Sequence, residues 1–319
     1  MRLPCIEPLT FFDQLVDCLL IKSTAREIDM LNNAAINSSF MTGQLSLDAI
    51  IIEAFKYNNG YIVITSNSPF YPKNYKWGDQ KSDIGVIVLN NQAVNIVKTY
   101  TAVIIDSMIY IDHDIPNKLN IEDKLIPAHY LESLNGLECQ SIVGAKVKLS
   151  VDAEVRHKIS AAHSMAHFMS LALNKVTNKY WNKDYDKDGL ENYNLDKAAI
   201  FKSSISELKS IDTYRLGKSL KKKGFDKASF LESIVSINEE INLILKNWLV
   251  TGSEIRVEYT SQDIGSLRLW KSTVENRPVV IPCGGTHIKN TEEIQDVKVE
   301  IKPEESDEYI VITTYCKLR

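Results

Sequence analysis

The segments His163-Ser164-Met165-Ala166-His167 and Cys283-Gly284-Gly285-Thr286-His287 hold the residue types best suited to chemistry in this chain. Each sets two metal-binding side chains four positions apart. Together they offer three imidazoles and one thiolate, a complete tetrahedral set for zinc. An i, i+4 pair on a helix shares one face, with Cβ atoms about 5–6 Å apart. Such histidine pairs are common, and alone they do not define an ion site. The second segment is more specific. Pro282 and two glycines make a tight turn whose backbone can approach an ion or ligand closely, and a Cys and a His flanking such a turn are poor core material. The zinc-peptidase pattern needs a Glu directly after the first His. Ser164 stands there, so peptidase chemistry of that kind is not expected. A catalytic ion keeps an open coordination position and a structural ion is closed by four protein ligands; the residue types allow both.

Bringing the segments together requires a helix and a strand-end turn. Val155, Ile159, Ala162, Ala166, Met169 and Leu173 recur at helical spacing around the histidine pair. Asp152 marks a change of character, because the pattern before it is mostly strand. Residues 48–55 are apolar and β-branched, Tyr57-Asn58-Asn59-Gly60 is a turn, and residues 61–65 follow as the second arm of a hairpin. Strand-like runs recur at 84–89, 102–105, 108–111 and 143–149. Beyond the helix, residues 178–196 are polar, a loop or hairpin. A second helical stretch covers 230–249, and strand-like runs at 254–259, 278–281, 297–301 and 308–315 finish the chain. The fold class predicted is α+β: residues 1–46 form an N-terminal extension of no assigned role, 47–151 an antiparallel β-barrel-like domain, and 152–319 an α+β domain with helices on an antiparallel sheet.

The chain has 319 residues, 44% hydrophobic and 24% charged, ordinary for a globular protein with a sizeable core. A net charge of -4 excludes polyanion binding by bulk charge and leaves it to local basic patches. Cys5, Cys18, Cys139, Cys283 and Cys316 are scattered and odd in number, so no disulfide framework is expected. The apolar residues Leu9, Phe11 and Phe12 are interrupted by Asp13 and Asp17, and no run is long enough to span a bilayer. A cytoplasmic location and no membrane partner are expected. His113, His129 and His157 are expected in surface or structural roles: His113 in an acidic turn, His129 in a loop after Pro127, and His157 one step off the metal face of its helix.

As a set, these motifs resemble the editing domain of alanyl-tRNA synthetases and its free-standing relatives, the AlaX family. Cys283-Gly284-Gly285-Thr286-His287 followed by Asn290-Thr291 is similar to the family's C-G-G-T-H-x-x-N-T run. Asp152 and Arg156 precede His163 as an Asp and an Arg do in that family. Phe70-Tyr71-Pro72 and the segment from Gly78 to Gly85 look like its F-Y-P and glycine-rich segments. The chain departs from the pattern at 73–77, where glycines are usual, and at Glu292-Glu293, where Gly-Glu is usual. Residues 199–225 look like an insertion. Nothing resembles the aminoacylation domain.

The resemblance implies a zinc-containing editing domain that hydrolyses the ester joining a wrong amino acid, serine or glycine, to tRNA for alanine. It implies one Zn2+ held by most or all of His163, His167, Cys283 and His287, with Thr286, Gly284 and Gly285 as candidate substrate contacts. Two patches could supply the salt-dependent phosphate contacts that tRNA needs. One is Arg215, Lys218, Lys221, Lys222 and Lys223. The other is Lys73 and Lys76 with Gln80, beside Tyr71, Tyr75 and Trp77, whose rings could stack on unpaired bases. The alternatives are a tRNA- or synthetase-binding module that keeps a structural zinc without hydrolysis, and a metallohydrolase acting on a small aminoacyl ester. Oligomeric state is not readable from the sequence.

Overall fold

The computed structural model describes residues 36–120 and 122–319. Most of the expected N-terminal extension, including the interrupted apolar stretch, lies outside the described residues. The first half is built on short antiparallel strands. After the two-residue β1 (Asn37–Ser38) come β2 (Ser46–Tyr57), β3 (Gly60–Thr65) and β4 (Asn67–Ser68), then β5 (Gly85–Leu89), β6 (Gln92–Ile96), β7 (Lys98–Ile105), β8 (Met108–Ile111), β9 (Leu125–Leu131) and β10 (Lys146–Val151). Eight of them form one curled antiparallel sheet in the order β6-β5-β10-β2-β3-β9-β7-β8. It is a half-barrel with β6 and β8 as edges, not a closed barrel.

The hairpin read from Tyr57-Asn58-Asn59-Gly60 joins β2 to β3, with Tyr57 opposite Gly60 and Asn58 at φ 52°. Both faces of the sheet are covered. On β3, Ile62 and Ile64 pack with Phe55, Ala102 and Ile126 on one side, while Val63 packs with Ile51, Ile87 and Leu149 on the other. That alternation is the period-two consequence of the pleat.

The second half holds two long helices, the site helix (Ala153–Thr177) and a back helix (Ile234–Thr251). Asp152 starts the site helix as its N-cap, its side chain accepting from the Val155 N–H. A four-stranded antiparallel sheet runs β11-β12-β17-β16, from β11 (Ile200–Ser206), β12 (Lys209–Arg215), β16 (Ile294–Pro303) and β17 (Tyr309–Leu318). Met165, Phe168, Leu171 and Leu173 of the site helix share a core with Ile310 and Ile312 of β17, Val297 and Val299 of β16, and Ile237, Ile241 and Leu245 of the back helix. Each such fully buried side chain contributes about 1.5–3 kcal/mol. A three-stranded sheet, β13 (Ile255–Tyr259), β14 (Arg268–Val274) and β15 (Arg277–Pro282), carries the cysteine turn at its end.

One reading changes here and another gains detail. Residues 199–225, expected as an insertion, are built into the fold: β12 pairs along its length with β17, and Tyr214 and Ser210 are wholly buried. His129 is not in a loop. It lies buried in β9, its Nδ1 3.4 Å from the Thr99 hydroxyl, and burial pulls its pKa down to about 3. His157 is structural as expected, its Nε2 2.7 Å from Glu293 Oε2. Glu293, which follows the departure at Glu292, closes a capping box with Asn290. Among the described residues no helix is long and apolar enough to cross a membrane.

Candidate metal centre

The site helix delivers His163 and His167 from consecutive turns, and the β15 end delivers Cys283 and His287. Their ligand atoms all lie within 4.8 Å of one another. Cys283 Sγ is 3.4 Å from His163 Nε2 and 3.3 Å from His287 Nε2. The three imidazole centroids are 4.5–5.1 Å apart. Burial explains their protonation. It pulls His163 down to about 3 and holds His167 and His287 well below the usual range, with the neighbouring imidazoles adding to the effect. All three rings are therefore neutral, with lone pairs to offer. Burial pushes the Cys283 thiol up to about 12, and a bound cation would be the opposing charge that favours its thiolate.

Hydrogen bonds set which nitrogen faces the cluster. The Thr286 N–H donates to Gln80 Oε1 at 2.9 Å, which fixes the amide orientation and turns Gln80 Nε2 toward Thr286 Oγ1, 2.9 Å away. His163 Nδ1, 2.7 Å from Gln80 Oε1, must then carry its proton, leaving Nε2 bare toward Cys283. Ser164 Oγ donates to the Ser160 carbonyl at 2.8 Å, so it can only accept from His287 Nδ1 at 3.2 Å and from the Ile288 N–H at 3.2 Å. His287 Nε2 is thereby also bare. His167 Nε2 is buried without a hydrogen-bond partner. An orphaned imidazole nitrogen inside a ring of soft donors fits a cation. His163, His167, Cys283 and His287 could hold a metal ion, and three imidazoles with one thiolate are donors of the borderline-to-soft kind. Supporting hydrogen bonds of this kind usually contribute 10–100-fold to metal affinity. Ser164→Ala is therefore expected to weaken metal binding by about that factor, read by competition with a chromophoric chelator; an unchanged affinity would show that His287 needs no such support.

The double glycine is required by close approach. A Cβ on Gly285 would lie 2.2 Å from His163 Cε1 and 2.5 Å from Gln80 Oε1. A cleft of about 1210 Å³ opens beside the cluster, and His163, His167 and Cys283 line it together with Gly284, Gly285 and Asp79. Asp79 Oδ2 is 3.8 Å from His163 Nε2, and burial raises its carboxyl to about 6. Farther along, Asp212 accepts from the Ser203 and Ser210 hydroxyls at 2.6 and 3.0 Å, and burial pushes it up to about 7.

The other sequence candidates are placed differently. Gln80 is 1% exposed and braces His163 and Thr286, so its expected role as a nucleic-acid contact is corrected. Thr286 Oγ1 accepts from Gln80 and from Ser160 Oγ, the latter at 2.8 Å, and the residue is a brace of the site rather than part of the cleft wall. Lys76 does line the cleft, and Lys73 is half-buried. In the second patch, Arg215 is paired with Glu308 at 3.0 Å and Lys223 Nζ donates to the Ala198 carbonyl at 3.0 Å. Lys218, Lys221 and Lys222 are exposed on one short helix, Lys218–Lys222. The sequence reading missed Asp79 as a site residue and Arg268 altogether. Asp79 lies inside the glycine-rich run and adjoins Gln80, a signal that was present; Arg268 has no local motif. No protein-family model and no curated protein matches the chain.

Proposed function

We propose that this protein is a metal-dependent aminoacyl-tRNA deacylase of the AlaX type, removing serine or glycine from tRNA for alanine. The observation that carries the proposal is the His3Cys cluster, with its lone pairs turned inward, in the wall of a large cleft. A closed structural ion needs no such opening. Zinc, when bound, supplies Lewis acidity toward the ester carbonyl. The protein groups do the rest. His163, His167, Cys283 and His287 hold the ion, while Gln80, Thr286 and Ser164 keep its ligands oriented. Asp79, facing the cleft, takes a proton from the water that attacks the ester carbonyl, and passes it to the ribose oxygen as the carbonyl–oxygen bond breaks, so that oxygen leaves as a hydroxyl. Low-dielectric walls strengthen each of these interactions. Lys76 and Trp77 at the cleft supply charge and a stacking face for the acceptor end of tRNA.

The test is ester loss from Ser-tRNA(Ala), Gly-tRNA(Ala), Ala-tRNA(Ala) and Ser-tRNA(Thr). Release of serine from the first with alanine left intact on the third supports the reading. Stoichiometric zinc with no hydrolysis of any substrate sinks it, and favours the binding module with a structural ion.

A further inference from the structure

Arg268 opens β14 directly across the hairpin from the metal-ligand turn, because Leu269 pairs with Pro282 and the Cys283 N–H donates to the Arg268 carbonyl at 3.0 Å. Its residue is only 7% exposed, yet Nε and Nη1 are buried with no acceptor among the described residues. The guanidinium carbon lies 5.1 Å from the Phe40 ring centroid, and burial lowers the pKa of the guanidinium, opposed by Tyr71 and Cys283. The contrast with Arg156 is direct: that guanidinium is also buried, but it is paired with Asp83 and bonded to backbone carbonyls. Removing a charge from water without a partner is strongly unfavourable, so an unpaired buried guanidinium in a cleft wall points to an anion that arrives with a ligand.

The place of the charge narrows the ligand. A Cβ on Gly284 would lie 2.7 Å from Arg268 Nη2, and one on Gly285 would lie 2.2 Å from the His163 ring. The guanidinium and a metal-ligating imidazole thus flank neighbouring residues, whose Cα atoms are about 3.8 Å apart. Arg268 shares its cleft with Trp77, which is 46% exposed, and with Tyr75, Lys76 and Lys124. Aromatic faces and cations along one cleft suit a nucleotide, with bases stacking and phosphates paired, and the forked guanidinium donors match two phosphate oxygens. We propose that Arg268 forms a phosphate subsite beside the metal centre, receiving the phosphate of the nucleotide whose ribose bears the ester. The substrate part of this inference rests on the deacylase reading; the anion site does not.

Calorimetric titration of the metal-loaded protein with adenosine, adenosine 5′-monophosphate and free serine separates the outcomes. The monophosphate should bind more tightly than adenosine by about tenfold or more, the scale of a hydrogen bond to a charged group. Arg268→Gln should abolish that preference and leave adenosine binding unchanged, and Arg268→Lys should retain part of it. Equal affinity for the two nucleotide ligands in the native protein overturns the proposal without any variant, as does a preference that survives Arg268→Gln. Loss of serine binding alone in Arg268→Gln overturns it in favour of a carboxylate pocket. Because no ester is cleaved, an Arg268-dependent phosphate preference in a protein that fails the deacylation assay leaves this site standing and removes only the enzymatic reading.

Discussion

His167→Ala is expected to lose metal binding and, with it, the deacylase activity we propose. Four-ligand zinc sites in small peptides bind with about 10–16 kcal/mol at neutral pH. One ligand in four therefore carries about 3 kcal/mol, or a hundredfold and more in affinity. The apo protein should respond differently. His167 Nε2 has no hydrogen-bond partner there, and an unsatisfied buried polar atom costs about 1–3 kcal/mol. Alanine removes that penalty while leaving a small cavity against Trp270, whose ring centroid is 5.1 Å from that of His167. The two effects oppose each other, so apo stability should move little. Stabilisation by a ligand that binds only the folded state follows its concentration relative to Kd. The gap between melting temperatures with and without zinc should therefore collapse in the variant. Metal analysis after gel filtration, with thermal melts in zinc and in chelator, reads both quantities. Full zinc content with an unchanged gap would show that the helix pair is not part of the site.

How much of this was legible can be traced to particular residues. The four ligands were readable because their types are chemically specific and their spacing matches a helix and a glycine turn. The site helix was readable from its period, and Asp152 from its capping role. Strands were missed where the hairpin turn beside them lacks glycine. Asn90-Asn91 and Glu275-Asn276 hold positive φ at both positions, the geometry of a tight hairpin, but their residue types give a weak signal, so β6 and β14 went unread. β9 was missed because Pro127 argues against a strand. There β3 pairs only from His129 onward, so one edge of the strand is unpaired at the proline and its absent N–H is tolerated. Gln80 and Arg268 were beyond reach for another reason. Their roles depend on partners 83 and 15 residues away in sequence, His163 and Cys283, and only the folded chain brings them together.

Arg156→Met is expected to destabilise the whole protein more than any surface change, by about 3–5 kcal/mol. Asp83 lies in the glycine-rich segment just before β5, Arg156 on the first turn of the site helix. Their pair therefore ties the segment that leads into β5 to the helix that carries His163 and His167. Arg156 Nε donates to Asp83 Oδ1 at 3.1 Å, Nη2 bonds Oδ2 and also the Pro69 carbonyl at 2.6 Å, and Nη1 reaches the Gln44 carbonyl at 3.3 Å. Burial raises the Asp83 carboxyl above its usual range, and the Arg156 bonds oppose that shift without cancelling it. Removing the guanidinium leaves a buried carboxyl and two carbonyls without their donor, which is why the loss exceeds the net worth of the pair. Asp83→Asn in the same background should recover part of it, since the amide carries no charge and can still accept from the Tyr71 N–H that Asp83 now binds. Coupling of this kind makes the double variant more stable than the sum of the singles predicts. Urea unfolding of the four proteins measures it. Additive effects, or an Arg156→Met variant within about 1 kcal/mol of the native protein, would show that the pair is solvated in solution and that the packing of the two halves stands without it.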